Sequence, residues 1–257
     1  MVQDIWILKN GEIKLDRSIL LFGRGYGEAE AIPVYSVLLK TSEGYVLIDT
    51  GMNPDGVSDP EATWGARAKL LVPDVKKEDD IRNRLDEINV KAREIKYVIN
   101  THMHWDHTGG NRFFGDAVFI VQKAEHRFAF CPDSSMGASY MKNHFDYPLG
   151  YRLIEGDCEI CEGVYVLATP GHTPGHQSVA IRFENGNHLI VCGDAVYTYR
   201  NLEEAIPPGN CFDYQMAILS LYKIGTLRKL LNSEILPSHE PGGFYAGAEK
   251  AIQKLKG

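Results

Sequence analysis

The stretch "HMHWDH", His102 to His107, places three histidines and an aspartate in six positions, and nothing else in the chain constrains the fold as much. The run before it, "IKYVIN" (residues 95–100), is apolar, alternating and β-branched, and reads as a strand. Gly109 and Gly110 follow, permissive backbone where the chain must turn away. The end of a strand is where ligands bind in α/β folds. A helix could not gather these side chains, because residues two apart on it point about 200° apart. On an extended or irregular strand end, His102 and His104 lie on one side. Asp106 and His107 are then directed elsewhere, so one short turn can present two sets of ligands to two neighbouring ions.

The remaining pattern repeats this theme. Strands are expected near residues 5–9, 35–40, 45–49 and 117–122, with a loop-rich stretch over 51–75 between them. Helical spacing marks residues 78–89, with acids in the first turn, and a short helix begins at Ala124. Residues 131–151 break the regularity and read as a long loop of the kind that often serves as a lid. In the second half a strand leads to a turn carrying His172. A hairpin through Asn185-Gly186 then ends at Asp194. A helix over 213–231, a short strand ending near His239 and a last helix complete the chain. Two similarly layered halves imply a sheet sandwich covered by helices. The 257 residues fit one large α/β domain spanning 1–257.

Composition narrows the partners. A net charge of −7 with no basic run argues against nucleic acid, whose backbone is bound by clustered Lys and Arg. No segment approaches the roughly 18 apolar residues of a membrane span, and the N-terminus lacks a secretory signal, so a cytoplasmic protein is expected. Five scattered cysteines suit reduced thiols rather than a disulfide framework. The lone "CEIC" (Cys158 to Cys161) has no partner pair, lies before a strand and reads as inert thiols.

Three further candidates stand at expected strand ends: His172, Asp194 and His239. His172 with His102 and His104 makes a three-imidazole set suited to zinc, with iron, cobalt or manganese as alternatives. Asp106, His107 and His239 make a second set, and Asp194 has two oxygens with which to bridge both. Two ions about 3.5–4 Å apart can clamp the attacking and departing oxygens of a hydrolysis. His126, His144 and His188 read as ordinary surface or core histidines. The six-position cluster does not, because burying it without a cation would leave several polar groups needing partners.

"HMHWDH" matches the H-x-H-x-D-H signature of the metallo-β-lactamase superfamily, and His172, Asp194 and His239 follow in that superfamily's ligand order. "YVLIDTG" (residues 45–51) and "TPGHTPGH" (169–176) are similar to further superfamily elements. The resemblance spans nearly the whole chain and implies an αββα sandwich and metal-dependent hydrolysis. It implies that Asp49 supports the metal site from behind. Within the superfamily the chain most resembles the N-acyl-homoserine lactonases, in its length, in "IVQKAEHRFA", in "YRLIEGDCEICEGVYVLATPGHTPGHQSV" and in "GDAVYT". That resemblance implies a small-molecule lactone substrate, opened by a hydroxide bridging the ions. It also implies that Tyr197 contacts the substrate carbonyl and that Asp106 passes a proton to the leaving alkoxide. His176 is expected to hydrogen-bond within the site, since the ligand positions are already filled. For the acyl chain, Leu21, Phe22 and Tyr26 in "SILLFGRGYG" are a candidate wall, with Met136, Tyr140, Met141 and Phe145 as another. Ordinary core or a homodimer contact is an equal reading of these residues. The rival on the same metal core is a glyoxalase II-type thioesterase, but only about eighteen residues follow His239 where that type carries a helical substrate domain. Other lactone or ester hydrolases remain alternatives. A non-enzymatic metal-binding protein fits less well, because all seven candidate ligands are present.

Overall fold

A computed structural model of the chain describes residues 1–243 and 251–255. Its strands are β1 (Val2–Asp16), β2 (Ala29–Thr41), β3 (Gly44–Ile48), β4 (Val72–Asp74), β5 (Ile95–Ile99), β6 (Val118–Gln122), β7 (Gly150–Ile154), β8 (Cys158–Cys161), β9 (Val164–Ala168), β10 (Gln177–Arg182), β11 (His188–Gly193), β12 (Glu234–Pro237) and β13 (Ile252–Leu255). One sheet runs β13-β1-β2-β3-β5-β6-β7, with β4 paired to β1; the other runs β12-β11-β10-β9-β8. In the first sheet β13, β1, β2 and β3 are antiparallel neighbours, and β3, β5, β6 and β7 are parallel ones.

Alternation along the strands builds the layers, because successive side chains point to opposite faces. Val37, Leu39, Val46 and Ile48 join Val166, Val179, Ile181 and Val191 in the core between the sheets. Their neighbours face outwards. Leu38, Leu47 and Val98 pack under Ile81 and Leu85 of the helix over 81–87, while Ala180 and Ile190 pack under Leu221 and Ile224 of the helix over 214–231. The helices are α1 (Pro60–Trp64), α2 (Arg67–Leu70), α3 (Ile81–Glu87), α4 (Lys123–Phe130), α5 (Lys142–Phe145), α6 (Tyr199–Glu203) and α7 (Tyr214–Leu231). The result is the expected αββα sandwich. Helix α7 begins where the Asp213 side chain accepts from the Met216 N–H, and it stops at Asn232 in the left-handed conformation.

Several expectations need correction. The closing helix is not found in the described residues: 252–255 form β13 on the edge of β1, and residues 244–250 lie outside the described set. "CEIC" precedes strand β9 as expected, but it is also a strand itself, β8, paired with β9. The 131–151 stretch is less irregular than expected, since it contains α5 and runs into β7.

Candidate metal centre

The candidate ligands lie just beyond the C-terminal ends of strands in both sheets. Asp49 follows β3, and His102, His104, Asp106 and His107 follow β5. His172 follows β9, Asp194 follows β11 and His239 follows β12. The HMHWDH turn is locked to the end of β3 by backbone hydrogen bonds from Thr50 N–H to His107 O and from Gly109 N–H to Gly51 O. The two segments approach so closely at Gly109 that a Cβ there would stand 2.1 Å from the Asn53 nitrogen.

Seven side chains meet at this point, all nine-tenths or more buried. Three groups have ligand atoms within 4.8 Å of one another: His102, His104 and His172; His102, His107 and Asp194; and Asp106, His107 and His239. Asp194 divides its two oxygens between them. Oδ2 stands 3.4 Å from His172 Nε2 and 3.7 Å from His102 Nε2, whereas Oδ1 stands 3.3 Å from both His107 Nε2 and His239 Nε2. Asp106 Oδ2 lies 3.7 Å from His107 Nε2 and 3.8 Å from His239 Nε2. Two ligand atoms on one tetrahedral ion with bonds of about 2.0–2.1 Å stand about 3.4 Å apart, the spacing seen here.

The far sides of the rings fix their tautomers. Nδ1–H of His107 donates to Asp49 Oδ2 at 2.8 Å, that of His172 to the Asn210 carbonyl at 2.6 Å and that of His239 to the Pro33 carbonyl at 2.8 Å. A neutral ring so committed turns an Nε2 lone pair inward. Those lone pairs face carboxylate oxygens, and that of His172 also faces His104 Nδ1 at 3.0 Å, an arrangement that a cation between them would satisfy. His102 Nε2, His107 Nε2 and Asp194 Oδ1 accordingly have no hydrogen-bond partner despite complete burial. The residues therefore fit a pair of metal ions.

The electrostatics agree. Burial, with help from the neighbouring imidazoles, holds His102 and His104 well below the usual histidine range, which keeps their lone pairs free. Burial also opposes a charge on His107, yet Asp194, Asp106 and Asp49 outweigh it and hold its pKa well above normal. Asp194 is held well below the carboxylate range, because His107, His239 and His102 overcome its burial. The site thus demands positive charge on the Asp194 Oδ1 side.

A sequence model of the metallo-β-lactamase superfamily matches residues 29–239, from β2 through His239. The chain belongs to the metallo-β-lactamase superfamily. Its relatives include the N-acyl homoserine lactonase of Bacillus cereus, 34% identical over 224 residues and 87% of each chain. The N-acyl homoserine lactonase AiiA of Bacillus thuringiensis subsp. kurstaki is 33% identical over 240 residues, 93% of this chain and 94% of its own. A crystal structure of an N-acyl homoserine lactone hydrolase, with the product N-hexanoyl-L-homoserine bound at the catalytic metal centre, superposes with a TM-score of 0.85. That match has 33% identity and covers 93% of this chain and 94% of the other.

The surroundings of this metallo-β-lactamase centre sort the other expected residues. Asp49, at φ 58°, accepts from Thr101 N–H and Thr101 Oγ1–H at 2.7 Å each as well as from His107. Tyr197 is buried, its ring 4.9 Å from that of His239 and 5.7 Å from that of His172. Burial, then the charges of Asp194 and Asp106, raise its pKa well above normal and keep it a hydroxyl donor. His176 packs behind His102 and turns Nδ1 to Thr169 Oγ1 at 2.9 Å. A narrow cavity of about 40 Å³ opens onto Asp106, Asp194, Tyr197 and His239, with Ile13, Leu15, Ile19 and Trp105 in its wall. Leu21, Phe22 and Tyr26 are not in that wall. Leu21 is buried beneath it, Phe22 stacks on Tyr214 at 4.4 Å, and Tyr26 is exposed. Sequence reading missed two polar residues beside the site. Arg67 borders the cavity and donates to Ala138 O and Ser139 Oγ. Glu125 is wholly buried behind the histidine turns. Arg67 sits in a stretch with no pattern. Glu125 lies in "KAEHRF", where an acid in a helix's first turn has an ordinary explanation.

Proposed function

We propose that this chain, acting as one hydrolase unit across residues 1–257, opens the lactone ring of N-acyl homoserine lactones. The observation that carries the reading is the division of Asp194 between two histidine sets, one oxygen to each. Similarity to the lactonases over nearly the whole chain supports the choice of substrate. His102, His104 and His172 would hold one ion, Asp106, His107 and His239 the other, and Asp194 both. Zinc best suits this imidazole and carboxylate set. When bound, the pair would supply Lewis acidity and a water made nucleophilic at neutral pH.

The protein's own groups do the rest. The Tyr197 hydroxyl, kept protonated beside Asp194, donates to the carbonyl oxygen as it gains negative charge. Asp106, on the cavity wall, carries a proton to the departing alkoxide. Asp49 and His176 hold the imidazoles from behind. Ile13, Leu15, Ile19 and Trp105 meet the near part of the acyl chain. Phe22 and Tyr26, exposed on the segment just after Ile19, meet the far end of a longer one. Five cysteines free of disulfides suit a reducing, cytoplasmic setting. Among the described residues no helix is long and apolar enough to cross a membrane.

The test is a metal-loaded preparation assayed against acyl homoserine lactones of short and long chains, a glutathione thioester, a β-lactam and a phosphodiester, for the wild type and Phe22→Ser. Ring opening of the homoserine lactones should exceed every other reaction, and Phe22→Ser should lose more with long chains than short. Preference for the thioester would overturn the assignment.

A further inference from the structure

Glu125, in the first turn of α4, has no counter-cation within salt-bridge distance among the described residues, although its side chain is wholly buried. Such a carboxylate survives only if neutral donors satisfy it. Neutral donors from three separate segments do. The Met103 N–H donates to Oε1 at 2.9 Å, the Tyr140 hydroxyl to Oε1 at 3.1 Å and the Gly175 N–H to Oε2 at 3.1 Å. Met103 lies between His102 and His104, and Gly175 lies in the turn that carries His172. The Tyr140 ring packs edge-on against His104, with ring centroids 4.8 Å apart. The fit against α4 is tight: a Cβ on Gly175 would stand 2.1 Å from the Glu125 nitrogen.

None of these bonds reaches the other ligands. His107 is held by Asp49, and His239 by the Pro33 carbonyl. Asp49 also takes the Thr101 hydroxyl, whose oxygen lies 3.1 Å from His102 Nδ1, so Asp49 serves both halves of the centre whereas the Glu125 bonds serve one. We propose that Glu125 is the positioning residue for the His102, His104 and His172 half alone, tying the two turns that must converge for three imidazoles to share one ion. The proposal rests on the two-ion reading above. Gln cannot replace Glu125, because its amide N–H₂ would face one of these donors.

The experiment is zinc titration of apoprotein, with bound metal counted after desalting and histidine ring nitrogens followed by long-range ¹H–¹⁵N correlation. Wild type should take up two ions. Glu125→Gln should bind one ion as wild type does and the other about 10–100-fold more weakly. Its ring signals for His102, His104 and His172 should lose their metal shift while those of His107 and His239 keep it. Tyr140→Phe, which removes a single donor and leaves the packing, should show a smaller loss confined to the same three rings. It decides the matter should Glu125→Gln fail to fold. Equal weakening of both ions, or of neither, overturns the positioning role and leaves the proposed function standing. A wild type that binds no pair of ions sinks both.

Discussion

Tyr197 is the residue whose surroundings most directly state a chemical role. It is buried against His239 and His172, and that burial, then the charges of Asp194 and Asp106, keeps its proton in place near neutrality. Tyr197→Phe should lower kcat about 10²–10³-fold, the usual cost of one lost oxyanion donor, with two ions still bound by elemental analysis. An unchanged kcat would reduce Tyr197 to packing. The seven candidate ligands could be read in the sequence because metal ligation admits few residue types and four of the seven fall in one turn. Glu125 could not, since its meaning lies in donors that come from residues 103, 140 and 175. Leu21, Phe22 and Tyr26 were singled out for being apolar, but apolarity does not say which face of a loop looks into a cavity.

At the level of elements, the ends of β3 and β5 act as one clamp on the HMHWDH turn. Parallel pairing of Ile48 with Ile99 brings Asp49 and Thr50 alongside that turn. Gly109 is the contact point, and backbone atoms of Met52 and Asn53 leave no space for a side chain there. Gly109→Ala should force the segments apart, costing about 1–3 kcal/mol by overpacking and weakening metal uptake in a titration. A variant with wild-type urea midpoint and metal content would show that the turn can shift freely. Helix α7 stands where the sequence places a helix, and the hairpin of β10 and β11 was legible from Asn185-Gly186. β13 was not. "AEKAIQKLKG" is rich in helix formers, and only pairing of Ile252 to Leu255 with β1 makes its last part a strand.

At the level of the whole molecule, stability should fall in acid for a reason outside the metal centre. Burial, then the charge of Arg112, push the pKa of His144 down from 6.5 to about 4. The folded protein thus keeps this ring neutral while the unfolded chain takes up a proton below about 6.5, so stability is lost as pH falls from about 6.5 towards 4. His144→Gln should remove about 2 kcal/mol of the wild type's loss between pH 7 and pH 5, read from urea unfolding of the metal-loaded proteins. An identical pH dependence in the two would exclude His144 as a contributor. The layered architecture was legible at this scale because strand alternation and helical spacing both survive in single segments. The sheet order was not, since β1 finds β13 across nearly the full length of the chain.

His239 follows β12, and its ring is fixed to the carbonyl of Pro33, 206 residues earlier. A nascent chain emerging from the ribosome carries six of the seven candidate ligands well before it carries His239, and β12 must dock beside β11 before His239 can face Asp194. Ions met earlier find a half-built nest, so loading with a full complement has to wait until β12 has docked.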